Sequence, residues 1–484
     1  MTSHGTSGLA GLVTNLLGDD LPIRIEIYDG TAVGPPADLA PATVRIRSRD
    51  ALRRVVTSPG ELGFARAYVA GDVEVDGDIY AVLAMRSRLP RVHLSAREWL
   101  EAVHRLRLSD LIPLAAPPEE VRIGRFGRRH SERRDAAAIH HHYDVSNDFY
   151  ELVLGRAMVY SCALWNHESS RGDGEDRRTS SLAEAQWAKM ELICQKLALR
   201  PGMRFLDVGC GWGSLVRHAA LHHGVDAVGV TISTEQADYA RDRIEADGLS
   251  GRVEVRVQDY REVHDGPYDA IASVGMFEHV GLSQLATYFE QIHDLAAPRG
   301  RFLNHAISRP PGHAPAISPR SFVARYVFPD GELQEVGSVV TAMQAAGFEA
   351  RHMEDLREHY ALTLRAWVSN LEANWDAAVA DVGVNRARVW RLYMAGSALG
   401  FEEGRIGIHQ VLGLRDPDQA TFPLRPDWRS SPRPIEMTPV ELGSSRADMG
   451  SADMGSHPTR VPPTTGTRVI SRRMSESNDP SSVG

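Results

Sequence analysis

Short apolar runs and amphipathic stretches alternate along the second half of the chain. The runs end at Val208, Val230, Val257, Val274 and Ala306. Between several of them the apolar residues recur at helical spacing, over 214–223, 234–247 and 282–297. This rhythm is typical of a parallel sheet whose strands are joined by helices. We therefore predict an α/β domain here.

A second pattern occupies the beginning of the chain. Residues 21–28 and 42–46 alternate with the two-residue period of half-buried strands, and 48–56 has a helical spacing. Within 63–82 the pattern predicts a further helix and a short strand. The sequence thus predicts a small α/β domain at 1–110, ahead of the larger one.

Composition divides the remaining chain. Residues 111–135 are rich in Pro, Gly and Arg, which predicts a linker, and the larger domain then fills 136–414. At 415–484 Ser, Pro, Thr and Gly dominate, and too few apolar residues remain to offset the entropy of ordering, so we predict a disordered tail. Six linker arginines form a basic run that suits either anionic lipid headgroups or a solvated segment: Arg122, Arg125, Arg128, Arg129, Arg133 and Arg134.

Charge and cysteine content exclude several classes of protein. The 484 residues include 54 Lys and Arg against 63 Asp and Glu, a net charge of −9, which argues against a nucleic-acid binder. Cys162, Cys194 and Cys210 form neither a disulfide framework nor a zinc pattern. The adjacent histidines 140–142 cannot all face one ion, so no metal is expected. Without a membrane span or a signal peptide, the prediction is a cytoplasmic protein.

A glycine-rich turn follows the first strand of the larger domain. Residues 205–213 read FLDVGCGWG, a buried strand that runs into closely spaced glycines and then into a helix. The second strand ends in GVTIS without the acidic residue that a dinucleotide site uses, whereas Asp259 follows the third strand. This pattern resembles class I S-adenosylmethionine-dependent methyltransferases and implies their Rossmann-like fold.

Ionisable residues follow the next two strands. Glu278 lies in FEHVG after the fourth strand, and His305 and Ile307 end the fifth. Loops at the carboxyl ends of parallel strands form the ligand crevice in such sheets, so Glu278 and His305 are expected beside the cofactor, where either can relay a proton.

Seven motifs in order carry a more specific resemblance. They are HHYDVSNDFY, YSCALW, GCGWG, TISTEQ, QDYR, MFEHVG and HAIS, within 136–414. Together they resemble the cyclopropane-fatty-acyl-phospholipid synthase family, which includes the mycolic acid cyclopropane synthases and fatty-acid C10-methylating enzymes. The resemblance implies a methyltransferase domain whose helical inserts cover an acyl-chain tunnel, with the small N-terminal domain as an accessory.

The resemblance also implies the cofactor contacts. Tyr160 and Ser161 would bind the carboxylate end of S-adenosylmethionine, and Asp259 would accept a hydrogen bond from the adenine. The first and second strands and their turns would contribute Asp207, Gly209, Gly211, Trp212, Gly213, Thr231, Ser233 and Gln236.

A bicarbonate ion is implied in the same way. Its ligands would be Cys162, Glu278, His305, Tyr360 and the backbone of Ile307, the register of Tyr360 being inferred from the Leu and Trp that follow it. Because an alkene can attack the methyl group directly, the site needs a water-free pocket and a proton acceptor, not an ionised nucleophile. Six aromatic residues either line such a channel or pack in the core: Phe149, Tyr150, Trp165, Trp212, Phe277 and Tyr326.

The implied reaction adds one carbon to the double bond of unsaturated acyl chains in phospholipids and gives a cyclopropane. The alternative is a 10-methylene chain, which a partner reductase would convert into a methyl branch. The N-terminal domain favours phospholipid over mycolic acid, and the enzyme would lie on the inner face of the membrane. A small-molecule or RNA methyltransferase, a lipid-binding protein without activity and a homodimer are further hypotheses; the net acidity argues against RNA.

Overall fold

The computed structural model describes residues 9–18, 20–87, 112–121, 145–166, 181–312, 318, 320–329, 331–416, 422–423 and 426–428. These residues all belong to one compact unit. Among them, the helices are too short or too polar to cross a membrane.

The N-terminal part contains a four-stranded sheet in the order β2-β1-β3-β4. Its strands are β1 (Arg24–Ile27), β2 (Ala32–Val33), β3 (Ala42–Ile46) and β4 (Val73–Gly77), and its helices are α1 (Leu9–Leu17), α2 (Arg49–Thr57), α3 (Glu61–Ala70) and α4 (Ile79–Ala84). Strands β1 and β3 are parallel, and the other pairs are antiparallel. The predicted strand at 42–46 and the helix from 48 are confirmed, and the side chain of Ser48 caps α2.

The larger sheet has seven strands in the order β10-β11-β9-β8-β5-β6-β7. The strands are β5 (Arg204–Val208), β6 (Asp226–Thr231), β7 (Val253–Val257), β8 (Tyr268–Val274), β9 (Ala296–Ser308), β10 (Glu349–Asp355) and β11 (Gly407–Leu414). Strands β5 to β9 pair in parallel, which confirms the predicted Rossmann-like sheet. Strand β11 is antiparallel to both β9 and β10, a feature that the sequence did not predict.

Ten helices of the described chain accompany this sheet. They are α5 (Asn147–Leu154), α6 (Leu182–Leu197), α7 (Ser214–His223), α8 (Thr234–Ala246), α9 (Leu285–Leu295), α10 (Phe322–Tyr326), α11 (Val336–Ala345), α12 (Arg357–Ala373), α13 (Trp375–Val382) and α14 (Val384–Glu402). The helix predicted at 282–297 is shorter, because Leu282–Gln284 is a 3-10 turn and β9 begins at Ala296.

The N-terminal sheet packs against α14 and shares its hydrophobic core. Tyr68 and Trp390 belong to the same buried cluster. The guanidinium of Arg391 on α14 donates to the Tyr68 hydroxyl at 3.2 Å and to the backbone oxygens of Val75 and Gly77 at 3.2 and 3.1 Å. The N-terminal part therefore shares a continuous core with α14 and the helices beside it, and the predicted boundary at residue 110 stays a prediction.

Only parts of the predicted linker and tail are described. The Arg-rich run at 122–134 and the three histidines at 140–142 lie outside the described residues. Glu120 is anchored, since both its carboxylate oxygens accept from Arg66 at 2.7 Å. Within the predicted tail, Trp428 contacts the ring of His352, and Phe422 lies beneath the guanidinium of Arg301. These two residues pack against the larger sheet; most of the remaining tail is outside the described residues.

Candidate active site

A cavity of about 230 Å³ opens where the strand order reverses, with β5 between β6 and β8. In an open α/β sheet this point is where loops diverge and leave room for a ligand. The carboxyl ends of β5, β6, β8 and β9 and the loop after β7 all contribute to its wall. Most of the predicted site residues line it: Tyr160, Ser161, Asp207, Gly209, Gly211, Trp212, Thr231, Gln236, Asp259, Glu278, His305, Ile307 and Tyr360.

The glycine-rich turn brings backbone close to this cavity. Gly209 has φ +83°, and a Cβ atom there would lie 2.8 Å from the Cβ of Met276. Gly211 also has a positive φ, but a Cβ atom there would meet nothing within 4 Å among the described residues, which leaves open space beside the turn. Gly213 does not line the cavity: it begins α7, and its added Cβ would lie 2.9 Å from Ala240. Its role in this structure is helix packing.

The loop after β6 contains a buried hydrogen bond. Thr231 donates from its hydroxyl to the side-chain oxygen of Gln236 at 2.9 Å, and both residues line the cavity. Ser233 does not line it, because its side chain caps α8 through the Gln236 N–H and donates to Glu235. Ser233 therefore has a capping role in this structure, and its contact with the cofactor stays a prediction.

Asp259 lies at the far side of the cavity, where Arg261 holds it. The guanidinium of Arg261 donates to the two carboxylate oxygens at 2.8 and 2.6 Å, and its backbone N–H donates at 3.0 Å. Burial acts to raise the pKa of Asp259, but these hydrogen bonds outweigh it and lower the pKa below the usual range. Asp259 therefore stays ionised.

Sequence reasoning missed a buried lysine in the cavity wall. Lys189 on α6 is 2 % exposed, and its ammonium donates to the hydroxyl of Ser161 at 2.9 Å. Burial lowers the pKa of Lys189 to about 8, an effect that the charge of Asp207 opposes. The signal was in the sequence: Ala185, Lys189 and Ile193 recur at four-residue spacing on the buried face of α6.

Asp207 ends β5 beneath the glycine-rich turn. Its side chain is 2 % exposed, and its Oδ1 has no hydrogen-bond partner among the described residues. Burial raises the pKa of Asp207 to about 7, and the charge of Lys189 acts in the opposite direction. A buried acceptor without a donor is costly unless a ligand supplies one, so this oxygen marks a contact point in the cavity.

Glu278 and His305 form a second group of incompletely paired polar atoms. One oxygen of Glu278 accepts from the Ile307 N–H at 2.7 Å, while the other has no partner in the described chain. Burial raises the pKa of Glu278 to about 7. His305 is fully buried, neither ring nitrogen has a described partner, and burial lowers its pKa far below the usual value. At neutral pH the site thus holds a neutral imidazole and a partly protonated carboxyl group.

Cys162 lies behind the cavity wall and does not line it. Its Sγ is 3.3 Å from the Ala163 oxygen and 3.6 Å from the Leu356 oxygen. Burial raises the pKa of this thiol well above its usual value, so it stays protonated. Two of the five predicted anion ligands are thus engaged within the protein, because the Ile307 N–H also donates to Glu278. Tyr360, on the first turn of α12, does line the cavity.

The aromatic residues of the cavity differ from those expected. Trp212 lines it, as predicted, together with Tyr160, Tyr260, Phe328, Tyr360 and Tyr393. Phe149, Tyr150, Trp165, Phe277 and Tyr326 do not. Tyr150 lies behind the wall with its ring centroid 4.6 Å from that of Trp212, and Tyr326 packs against Phe322. Core packing is seen for Phe149, Tyr150, Phe277 and Tyr326. Trp165 is only partly buried, and its indole nitrogen donates to the hydroxyl of Thr363 at 3.0 Å.

Comparison with known proteins adds an independent line of observation. The model of a family described as mycolic acid cyclopropane synthetase matches residues 130–411. A probable fatty acid methyltransferase of Mycobacterium tuberculosis is 42% identical over 420 residues, which are 84% of this chain and 95% of that protein. The cyclopropane-fatty-acyl-phospholipid synthase of Escherichia coli is 32% identical over 377 residues, covering 78% of this chain and 88% of that protein.

A solved structure of the mycolic acid cyclopropane synthase CmaA1, complexed with S-adenosylhomocysteine and CTAB, superposes on this chain with a TM-score of 0.52. The two sequences are 31% identical, and the match covers 58% of this chain and 98% of that one. The similarity therefore includes the fold of the larger sheet as well as its sequence.

Proposed function

The chain belongs to the mycolic acid cyclopropane synthetase family of S-adenosylmethionine-dependent methyltransferases, and from this premise we propose its reaction. It transfers a one-carbon unit to the double bond of unsaturated acyl chains in phospholipids and closes a cyclopropane ring. The observation that carries the proposal is the pair Glu278 and His305, whose buried polar atoms lack partners in the described chain beside an otherwise largely apolar cavity.

Residues on three sides of the cavity would hold S-adenosylmethionine. They are the glycine turn at Gly209 and Gly211, the Thr231–Gln236 pair, and Ser161 with Lys189. The unpartnered Oδ1 of Asp207 and the open space beside Gly211 fit a bound polar group. When bound, the cofactor supplies an electrophilic methyl group on a positively charged sulfur. The ammonium of Lys189 is suited to bind the carboxylate end of that cofactor, since it is already oriented by Ser161.

The residues beside the cofactor site also fit a bicarbonate ion. A protonated Glu278 and the neutral ring of His305 each offer a hydrogen-bond donor, and both have atoms without a described partner, so they fit a small anion. Tyr360 lies in the same wall. When bound, bicarbonate supplies a basic oxygen and a negative charge in the apolar cavity. Cys162 contributes no donor to it in this arrangement.

The chain's own groups provide what an alkene substrate needs. Methionine, valine, leucine and isoleucine side chains in the cavity wall, including Val159, Met276 and Leu333, exclude water from a cationic acyl chain. His305 accepts a proton at a ring nitrogen, because its lowered pKa keeps that nitrogen free of one at neutral pH. Glu278 is held in place by the Ile307 N–H, so its second oxygen faces the reaction with a fixed orientation.

Phospholipid as the substrate is supported by the extent of the similarity. The match to the E. coli enzyme spans 377 residues, whereas the family model covers only 130–411. The additional similarity falls outside the catalytic region, and the four-stranded N-terminal sheet is part of the same compact unit. We take this part to adapt the enzyme to lipids of a membrane surface.

A second product is favoured by a specific similarity. The relative with 42% identity is named a probable fatty acid methyltransferase, not a cyclopropane synthase. The same cation can shift a hydride and then lose a proton from the new carbon, which leaves an exocyclic methylene. A reductase would then have to act on that product to give a methyl branch.

Product analysis separates these reactions. The protein is incubated with S-adenosylmethionine and vesicles of dioleoyl phospholipid, and the released fatty acids are examined by mass and proton NMR. If the product is the cyclopropane, upfield ring protons are expected. Exocyclic olefinic protons would instead identify the methylene product. Vesicles of a saturated phospholipid are the matched control. No added carbon in oleoyl chains, with cofactor binding intact, would contradict the phospholipid substrate.

Membrane association is proposed on the basis of charge. The six arginines between Arg122 and Arg134 would attract anionic headgroups at the inner face of the membrane, worth about 1 kcal/mol each near the surface. Sedimentation with anionic vesicles is expected to weaken strongly when all six are changed to alanine. Equal sedimentation of the variant and the parent protein would contradict this role.

A further inference from the structure

A cluster of metal-ligand side chains lies outside the cavity, between α6 and α7. Glu191 and Cys194 are on α6, and His218 and His223 are on α7. None of the four lines the active-site cavity. They come together because α6 and α7 pack against each other, although 23 residues separate Cys194 from His218 in the sequence.

Three of these side chains, those of Cys194, His218 and His223, bring their donor atoms close together. One ligand atom each from Cys194, His218 and His223 lies within 4.8 Å of the other two. The Oε2 of Glu191 is 3.1 Å from Nε2 of His218 and 3.0 Å from Nε2 of His223. In a tetrahedral zinc site with bonds of about 2.0–2.3 Å, ligand atoms are separated by roughly 3.3–3.8 Å. The donor atoms of Cys194, His218 and His223 therefore need side-chain movements of about 1 Å to reach the separations of a zinc site.

Burial and charge also suit a divalent cation. Cys194 is fully buried and His218 nearly so, while Glu191 and His223 are partly exposed and leave a path for entry. A thiolate, a carboxylate and two neutral imidazoles carry a total charge of −2, which a divalent ion neutralises in this low-dielectric place. The spacing of the two histidines, with four residues between them, lies in the range of structural zinc sites.

Hydrogen bonds alone account for part of the arrangement. One carboxylate oxygen of Glu191 accepts from both histidine rings, which explains the positions of these three residues. It does not require the sulfur of Cys194 to lie at the same point. The cysteines show no zinc spacing along the chain, because this set contains only one cysteine and is assembled by helix packing.

We propose that Cys194, His218 and His223, with the carboxylate of Glu191 against both rings, bind one zinc ion that joins α6 to α7. The site is structural, because none of its ligands lines the active-site cavity. Its position matters to the cavity nonetheless. Helix α6 carries Lys189, and α7 begins at the glycine-rich turn, so the ion would fix these two helices relative to each other.

The test is a cobalt(II) titration of the full chain after chelation of bound metal. One equivalent is expected to give the visible bands of a four-coordinate ion and the near-ultraviolet band of a cobalt–thiolate bond, and zinc is expected to remove both. Cys194→Ser should abolish the thiolate band, and His223→Ala should weaken binding at least about 100-fold. A titration without a thiolate band, or an unchanged band in Cys194→Ser, would overturn the proposal.

Two matched variants control for other ligands. His222→Ala removes a histidine next to the cluster on the same helix and should leave binding unchanged. Alanine at positions 140–142 removes three adjacent histidines elsewhere in the chain and should also leave it unchanged. Loss of the thiolate band in either control would assign the ion to a different set of ligands and overturn the site.

A further measurement does not depend on the folding of the variants. In the parent protein, zinc should raise the thermal midpoint by several degrees relative to the chelated protein, since a ligand that binds only the folded state stabilises it. Binding of S-adenosylhomocysteine is measured alongside as a check of the fold. Equal midpoints with zinc and with chelator, in protein that still binds S-adenosylhomocysteine, would overturn the proposal.

Discussion

The interface with the N-terminal sheet and the active-site cavity both bury polar side chains, but they satisfy them differently. At the interface Arg391 donates to three oxygen acceptors of the N-terminal part and pairs with Glu372, and Glu120 accepts from Arg66. In the cavity Glu278 and His305 have polar atoms without described partners. The paired groups at the interface have a structural role, whereas Glu278 and His305 also line open space, so their unpartnered atoms indicate contacts with a ligand.

The largest expected effect is on catalysis at Glu278. Glu278→Gln should lower kcat by about 10²- to 10⁴-fold, the usual contribution of a group that handles a proton. The free energy of unfolding at pH 7 should not fall, because the change removes an ionisable group from a buried place. Steady-state kinetics and denaturant unfolding of the same preparation measure both. A large loss of unfolding free energy with normal kcat would show that Glu278 has a structural role and not a catalytic one.

The converse result is expected at the interface. Glu120→Ala should cost about 3–5 kcal/mol of unfolding free energy, because it leaves the half-buried Arg66 without its carboxylate partner. Binding of S-adenosylhomocysteine should persist in the protein that remains folded. The control is Glu403→Ala, whose exposed pair with Arg405 should cost no more than about 1 kcal/mol. Equal costs for the two variants would show that the interface pair is not structural.

A smaller effect is expected for the buried lysine of the cavity. Lys189→Met should raise the Kd for S-adenosylmethionine by about 10- to 100-fold, the value of a lost hydrogen bond to a charged group. The matched control is Lys196→Met on the same helix, which removes a buried lysine that pairs with Glu354 and Gln410 outside the cavity. Isothermal titration measures both, and equal affinities in the two variants would exclude Lys189 from cofactor binding.

The last expected effect concerns pH. The pKa of Glu278 rises from 4.5 to about 7 on folding, so between these values the folded state holds a proton that the unfolded state has lost. The contribution of this carboxyl group to the free energy of unfolding is therefore fully present below pH 4.5, and it declines as the pH rises to 7. The stability of the parent protein should fall relative to Glu278→Gln over this window, as followed by thermal unfolding. Parallel curves would contradict the raised pKa.

The sequence predicted most of the parallel sheet because each strand is a short apolar run that ends in a recognisable loop. It did not predict β10 and β11. Strand β10 reads EARHMED, a largely polar run without a buried residue, and its place depends on pairing with a strand more than fifty residues later. Such pairing is decided by the tertiary core and not by local pattern.

Part of the site was predictable for the same reason, and part was not. Glu278 and His305 follow strands, so their place at the sheet edge could be inferred from chain order. The direction of the Cys162 side chain could not, because it depends on the carbonyl of Leu356, almost two hundred residues later. Lys189 needed only the helical period of α6 to be noticed. The Cys194 cluster required knowledge of how two helices pack.

Helix α14 has a consequence for any attempt to isolate the catalytic region. Two residues apart on it, Arg391 contacts the N-terminal sheet and Tyr393 lines the cavity. A fragment that starts near residue 136 would leave Arg391 without three of its acceptors and α14 without its contacts to α3 and α4. Because one helix carries both residues, truncation of the N-terminal part is expected to remove support from the cavity wall at Tyr393 as well.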